Sequence, residues 1–417
     1  MSATWDVIII GGGPAGSTAA MTLAKGGKRV LVLEKEKFPR FHIGESLLPY
    51  NRRLFDDLGL WDKIAGAGFM IKRGAQFWLG DATAHTRVTF ASGVYTEYPE
   101  SWQVERSRFD EILLNHAREL GATVQEECTV LEHHVNADDV SVKYRRADGT
   151  LEEAQAGFIM DASGLGNVTA NRAGLRQFYP RHKKLAVYGH FNNVAMPVDG
   201  ELGDILIVRR ENSWCWMIPL DEKKTSVGLV MDAADFKKLG QSPEVVFQEA
   251  VQNTPMLKER FMNATAASPI HVASDFSYRN DSLVSPRIVR VGDASGFIDP
   301  IFSSGVFLAM QSGNEGAKTV IEALDSQVAM TPGMKRYERE TRRCISMYWE
   351  FIEKFYTVHF TQLFMTPAPF LQLPSAVNAV LAGRTKLPFG ARWRLRVFFF
   401  LVWLQKWIPL SPRIEVR

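Results

Sequence analysis

The chain has 417 residues, enough for two domains or one large elaborated one. Its 46% hydrophobic and 23% charged residues are those of an ordinary globular protein, and a net charge of +3 with no long Lys/Arg run argues against a nucleic-acid partner. The three cysteines, Cys128, Cys215 and Cys344, are odd in number and lack CxxC spacing, so no disulfide framework and no metal site are expected. A reducing, cytoplasmic compartment fits that cysteine usage, and no basic-then-apolar leader opens the sequence.

In chain order, Asp6-Val7-Ile8-Ile9-Ile10 is a short apolar run of the kind buried on both faces of a parallel sheet. A glycine cluster follows, then a helix over 17–25 and a second strand over 29–34, which is a compact βαβ unit. A helix over 108–120, a strand over 123–125, an antiparallel hairpin strand near 140–144 and a buried strand over 158–161 come next. From about 185 to 232 the pattern becomes β-rich and aromatic. The runs 186–188, 205–208, 214–218 and 226–231, separated by turn signals, predict an antiparallel sheet. Residues 288–291 return to the first unit as a parallel strand. From 334 onward the chain reads as helical, ending in a basic, apolar segment over 392–410. Its apolar run, 397–404, is far short of a membrane span, and packing on its own domain is expected instead of membrane contact.

Gly11, Gly13 and Gly16 form GxGxxG between a strand and a helix. The first two permit a tight turn and close approach of the backbone to a pyrophosphate, and the third permits helix–sheet packing. The helix N-terminus then turns its N–H groups and positive dipole end toward the phosphates. Glu34 closes the second strand at the spacing that suits a ribose 2′-OH. This motif does not distinguish NAD from FAD. Asp161-Ala162-Ser163-Gly164 and Gly292-Asp293-Ala294-Ser295-Gly296 each follow a buried strand with a small-residue turn, and Asp293 can accept from a ribityl hydroxyl. The chain here resembles the flavin monooxygenase class, which pairs these motifs with an arginine near a helix start; Arg106 occupies that place. No second dinucleotide motif is present, so an NAD(P)H site is not evident.

Trp214-Cys215-Trp216-Met217-Ile218-Pro219 matches WxWxIP, Lys72 follows Phe69-Met70-Ile71, and residues 38–49 read FPRFHIGESLLP. Together these look like the FAD-dependent halogenases, particularly the branch acting on pyrroles and phenols, from the N-terminus to about Ala317. The resemblance implies an oxidoreductase in which FADH2 from a separate flavin reductase, oxygen and chloride or bromide yield hypohalous acid. That acid passes through a tunnel to Lys72. It also implies that Arg40 and Ser46 join the cofactor set of Gly11, Gly13, Gly16, Glu34, Arg106, Asp161, Asp293 and Gly305. Trp214 and Trp216 would keep the organic substrate away from the flavin. Taken alone, the two tryptophans are a core pair on one face of a strand, and a lone lysine is usually solvated.

The resemblance places the halide on Ser304 and Gly305, where the turn from Asp299 to Gly305 enters a helix over 306–317. The same serine would also serve as a simple N-cap. Tryptophan halogenases carry a glutamate two residues before the position of Ser304, and Phe302 stands there in this chain. A free indole is therefore disfavoured against an electron-rich phenol or pyrrole, which related enzymes often receive as a thioester on an acyl or peptidyl carrier protein.

The expected fold is α/β: a Rossmann-type FAD-binding domain over 1–80, 100–180 and 285–330. An inserted antiparallel substrate domain covers 81–99 and 181–284, and a helical C-terminal region covers 331–417. The rivals are a single-component aromatic hydroxylase, a flavin-dependent reductase of lipid-like substrates and, more remotely, a non-enzymatic flavin binder. His42 and His359 are not spaced with other ligands and read as structural.

Overall fold

The computed structural model describes residues 5–179, 182–197, 201–274, 277–368 and 370–414. Strand β1 (Trp5–Ile10) runs into helix α1 (Pro14–Lys25) and strand β2 (Val30–Leu33). Proline at the first turn of α1 lacks an N–H that would be unpaired there anyway. After β2 come β3 (Met70–Lys72), β4 (Gly74–Leu79), β5 (His85–Thr89) and β6 (Ser101–Gln103), then helix α2 (Arg106–Glu119). The chain continues through β7 (Thr123–Gln125), β8 (Thr129–Val135), β9 (Val140–Arg145) and β10 (Leu151–Asp161).

The first sheet is built on β1. It pairs in parallel with β10 on one side and β2 on the other, and β2 pairs in parallel with β7. Strand β15 (Ile288–Arg290), from much later in the chain, pairs with β10 in parallel, while the β8–β9 hairpin pairs antiparallel with the first half of β10. The residues of β2 and Val7 to Ile10 of β1 are buried, because helices cover one face and the hairpin the other.

The second sheet contains β11 (Lys184–Asn192), β12 (Ile205–Arg209), β13 (Ser213–Pro219) and β14 (Lys224–Asp232). Its strand order runs β11, β14, β13, β12, β4, β5. All those neighbours are antiparallel except β12 with β4, whose register sets Ile207 beside Phe77 in parallel. The layer therefore begins at Gly74, ahead of the boundary at 81 read from sequence, and within the expected antiparallel sheet the β12–β4 pair is parallel. The boundary at 180/181 lies outside the described residues. A local pattern cannot reveal that β4, besides its hairpin partner β5, pairs with the distant strand β12.

Helices α3 (Gly305–Asp325), α4 (Pro332–Phe355) and α5 (Phe389–Leu404) follow, with two shorter C-terminal helices, Val358–Met365 and Leu373–Leu381, between α4 and α5. The small residues of α1 and α3 let those helices pack closely: Gly313 lies so near that a Cβ there would sit 2.3 Å from the Ala15 carbonyl. Phe351 and Phe355 of α4 and Phe398 and Val402 of α5 bury against Phe77, Trp214 and Trp216 of the second sheet in one contiguous core. No described helix is long and apolar enough to cross a membrane.

Candidate active site

The turn after β1 folds back on itself. Gly11 has φ +101°, and a Cβ on it would approach the Ala162 carbonyl to 2.5 Å. A Cβ on Gly16 would come within 1.9 Å of the Gly11 carbonyl, so that glycine is demanded by helix–turn packing. Gly13 differs. Its φ of −68° suits any residue, and the nearest atom to a Cβ there is Nη2 of Arg40 at 3.4 Å. Among the described residues, no other atom lies within 4 Å of that Cβ position.

Arg40 and Arg106 flank the same buried carboxylate. Arg106 Nε and Nη2 donate to the two oxygens of Asp110 at 2.7 Å each, and Arg40 Nη1 lies 3.1 Å from Asp110 Oδ2. Burial works to raise the Asp110 carboxyl, but the Arg106 and Arg40 guanidiniums hold it below the usual carboxylate range. Arg40 Nε also lies 3.3 Å from Glu36 Oε2, so each guanidinium is paired with a carboxylate, and the Arg40 Nη2 edge that faces Gly13 is the group positioned to meet a phosphate. Glu34 Oε2 accepts from the Gly12 N–H at 2.6 Å and Oε1 from the Glu36 N–H at 2.8 Å. The carboxylate still has lone pairs to offer a ribose hydroxyl.

Asp161 has none to spare. It accepts from Ser163 N–H and hydroxyl at 3.0 and 2.6 Å and from Thr169 N–H and hydroxyl at 2.7 Å each. Four donors fill its lone-pair directions, so its part in holding a cofactor is to shape the 161–169 turn. Asp293 is the contrast: no described protein donor reaches its carboxylate, and burial pushes it up to about 6, with Arg106 pulling the other way. Beside it opens a cavity of about 750 Å³, lined by Gly292, Asp293, Ser295, Gly296, Gly305 and Tyr337 among others. The unpartnered Ser46 hydroxyl, the free Asp293 carboxylate and the open space above Gly13 all fit FAD.

Ser304 is buried and is the N-cap of α3, but its hydroxyl makes no cap hydrogen bond; Gly305 opens the helix with nothing within 4 Å of a Cβ position. The first N–H groups of the helix are thus available to an anion. Phe302 is packed edge-on to Phe351 and Phe355, ring centroids 5.9 and 5.8 Å away, so this turn presents an apolar wall.

Lys72 is 1% exposed at the end of β3. Its Nζ donates to the Leu47 carbonyl at 3.0 Å and lies 5.4 Å from the centroid of Phe90. Burial pushes the amine down to about 7 against a smaller opposing pull from Asp204. Trp214 and Trp216 lie on one face of β13 with ring centroids 5.9 Å apart, in the same core as Phe90 and Phe302. Each indole N–H is satisfied: Trp216 donates to Ser226 Oγ at 3.2 Å and Trp214 to Tyr356 Oη at 2.9 Å. Tyr356 in turn donates to buried Asp299 at 2.6 Å, and Asp299 accepts from Ile301 N–H. Trp214 is thereby tied to the turn that leads to Ser304 and Gly305.

Sequence reasoning missed Tyr356, which comes from a region without motifs, and the buried pair of His190 Nε2 with Glu45 Oε1 at 2.7 Å. Asp299 carried a local signal, since Asp-Pro at a helix start is a capping pattern.

Against known proteins, the FAD binding domain family matches residues 4–351. A 1H-pyrrole-2-carbonyl-(peptidyl-carrier protein) chlorinase of Pseudomonas fluorescens is 32% identical over 378 residues, covering 85% of this chain and 84% of that protein. The chain belongs to the flavin-dependent halogenases. As a halogenase it uses FAD and halide, and the hydroxylase and lipid-reductase readings are not favoured. The fold agrees: the flavin-dependent brominase Bmp2 superposes with a TM-score of 0.85 at 27% identity, covering 95% of this halogenase and 98% of the brominase. A flavoprotein/dehydrogenase from Cytophaga hutchinsonii superposes with a TM-score of 0.88 at 29% identity, covering 96% and 99%.

Proposed function

We propose that this halogenase acts in the cytoplasm on an electron-rich pyrrole or phenol ring carried as a thioester on a carrier protein, with reduced flavin supplied by a separate flavin reductase. The first N–H groups of α3 at Ser304 and Gly305 hold chloride or bromide beside the cofactor. Trp214 and Trp216 wall the organic substrate off from that end, and Lys72 receives the hypohalous acid and directs it onto the ring. The bound flavin supplies the oxidising chemistry with oxygen; the residues position, exclude and deliver. A carrier-borne pyrrole suits the apolar Phe302 wall, which offers no carboxylate to a free indole, and the similarity to the pyrrole chlorinase supports the same substrate class.

The observation that carries this reading is Lys72, a buried amine that donates to the Leu47 carbonyl and is pushed down to about 7 by burial. Such an amine can hydrogen-bond hypohalous acid or, in its neutral form, take up the halogen. Lys72→Ala should lower halogenated product at least a hundredfold while FAD affinity stays within twofold. Lys72→Arg should fail equally, because a guanidinium stays protonated. Mass spectrometry of carrier-bound pyrrole and free phenol, incubated with a flavin reductase and chloride or bromide, reads both outcomes. Near-parental product from Lys72→Ala would refute the assignment, and rapid substrate-stimulated NADPH oxidation by the isolated protein would refute the separate reductase.

A further inference from the structure

Helix α5 packs on its own domain with one face only. Ala391, Leu395, Phe398 and Val402 are buried in the core, at the three- and four-residue spacing of one helix face. The opposite face repeats at the same spacing through Phe389, Arg392, Arg396, Phe400 and Trp403, and all five are exposed. Phe389 is 75% exposed, Trp403 53%, and Trp407, in the turn that follows, 74%. Phe400 stacks on Trp403 with ring centroids 5.7 Å apart, so these rings form one continuous surface, which exposed Ile408 and Leu410 extend. A helix that is apolar on both faces is normally covered on both. A contiguous exposed apolar patch rimmed by polar groups marks an interaction surface.

Charge identifies the kind of partner. From Phe355 to Ile414 the sequence contains seven Lys and Arg and no Asp or Glu, while the whole chain has 49 of the first pair and 46 of the second. The remainder of the chain is therefore net negative, and the positive charge is gathered at this end. Among the described residues Arg392, Arg396, Lys406 and Arg413 are exposed and enter no ion pair, whereas Arg384 is spent on Glu97 at 3.0 Å. Cations interleaved with tryptophan and phenylalanine on one stripe match a lipid surface. The rings suit the headgroup level, where Trp is enriched, and the cations meet lipid phosphates. A stripe of one sign, with no carboxylate to fix an orientation on a folded partner, suits a uniformly negative surface.

We propose that the exposed face of α5, together with Trp407, Ile408 and Leu410, docks on an anionic lipid bilayer and lies in its headgroup region. The helix rests along the surface over roughly 24 Å. It does not cross, since no described helix is long and apolar enough to do so. The inference is independent of the role given to Lys72.

Full-length, FAD-loaded protein should float with vesicles of phosphatidylcholine and phosphatidylglycerol and stay behind with phosphatidylcholine alone, the bound fractions differing at least tenfold. Binding to the anionic vesicles should weaken as salt is added. Trp403→Gln with Trp407→Gln, and separately Arg396→Gln with Lys406→Gln, should each cut the bound fraction at least fivefold. Melting temperature and FAD affinity should stay at parental values, because these four side chains are exposed. No binding to anionic vesicles, binding without preference for phosphatidylglycerol, or binding that survives in either pair of variants overturns the proposal. Capture of carrier-bound pyrrole in place of vesicles, lost in the same variants, also overturns it and assigns the stripe to the carrier. A concentration-dependent dimer that the tryptophan variants abolish and vesicles do not disperse overturns it in favour of a second copy of the chain.

Discussion

Lys72 opposes folding even as it serves chemistry. In the unfolded chain its amine titrates near 10.5, and in the folded protein at about 7. Between those values the unfolded chain holds a proton that the folded one lacks, so stability rises with pH across this window. The burial penalty is fully present below pH 7 and is relieved as pH approaches 10.5. The drop corresponds to at most about 5 kcal/mol, and losing the donor to the Leu47 carbonyl returns about 1–3 kcal/mol of it. Lys72→Met should therefore be more stable than the parent at pH 6, with the advantage shrinking at pH 9.5, as read by urea unfolding at both pH values. A gain that is equal at the two pH values would mean that the amine is neither buried nor depressed.

At the scale of elements, the glycines of the β1–α1 turn separate into two classes that the motif alone does not distinguish. Gly16 is required by the fold, because a Cβ there collides with the Gly11 carbonyl; a Cβ on Gly13 would meet only Arg40 Nη2, at 3.4 Å. Gly16→Ala should lower stability by several kcal/mol through this backbone clash. Gly13→Ala should melt within a few degrees of the parent yet bind FAD at least tenfold more weakly. Calorimetry and FAD titration on the two variants separate these outcomes, and equal FAD affinity in Gly13→Ala would move the pyrophosphate elsewhere.

The sequence was informative wherever one segment carries its own geometry. The strand at Thr123–Gln125 and the return of Ile288–Arg290 beside β10 were legible because apolar runs and small-residue turns report local structure. What escaped was long-range. Asp161 matched its motif, but its four local donors became visible only once Thr169 was folded back onto it. Tyr356 joins Trp214 to Asp299 across 142 and 57 positions, and no periodicity announces such a link.

For the whole molecule, the second sheet, the turn at Phe302 and the C-terminal helices share one apolar core. Phe398 of α5 packs edge-on to Phe360 in that core, with ring centroids 5.7 Å apart. Phe398→Ala should destabilise the protein by about 3–5 kcal/mol. Because the core is continuous, thermal unfolding should remain a single calorimetric transition in parent and variant. A separate low-temperature transition in the variant would show that the C-terminal helices form an independent unit. The Lys72 side depends on the same helices: Asn378 donates to the Thr89 carbonyl, next to the Phe90 ring that faces the amine.

The parallel pairing of β4 with β12 also has a consequence for biosynthesis. Leu79 leaves the ribosome more than a hundred residues before Arg209, its partner in the register. At ~5–20 residues per second that is a wait of roughly 7–26 s, during which the apolar strand Ala75–Leu79 has an unpaired edge on the side that β12 will occupy. Hairpin partner β5 arrives almost at once and can cover only the other edge. The nascent chain therefore passes through an interval in which this edge is open to mispairing, and chaperones that shield extended apolar segments should associate with it most strongly before residue 209 is made.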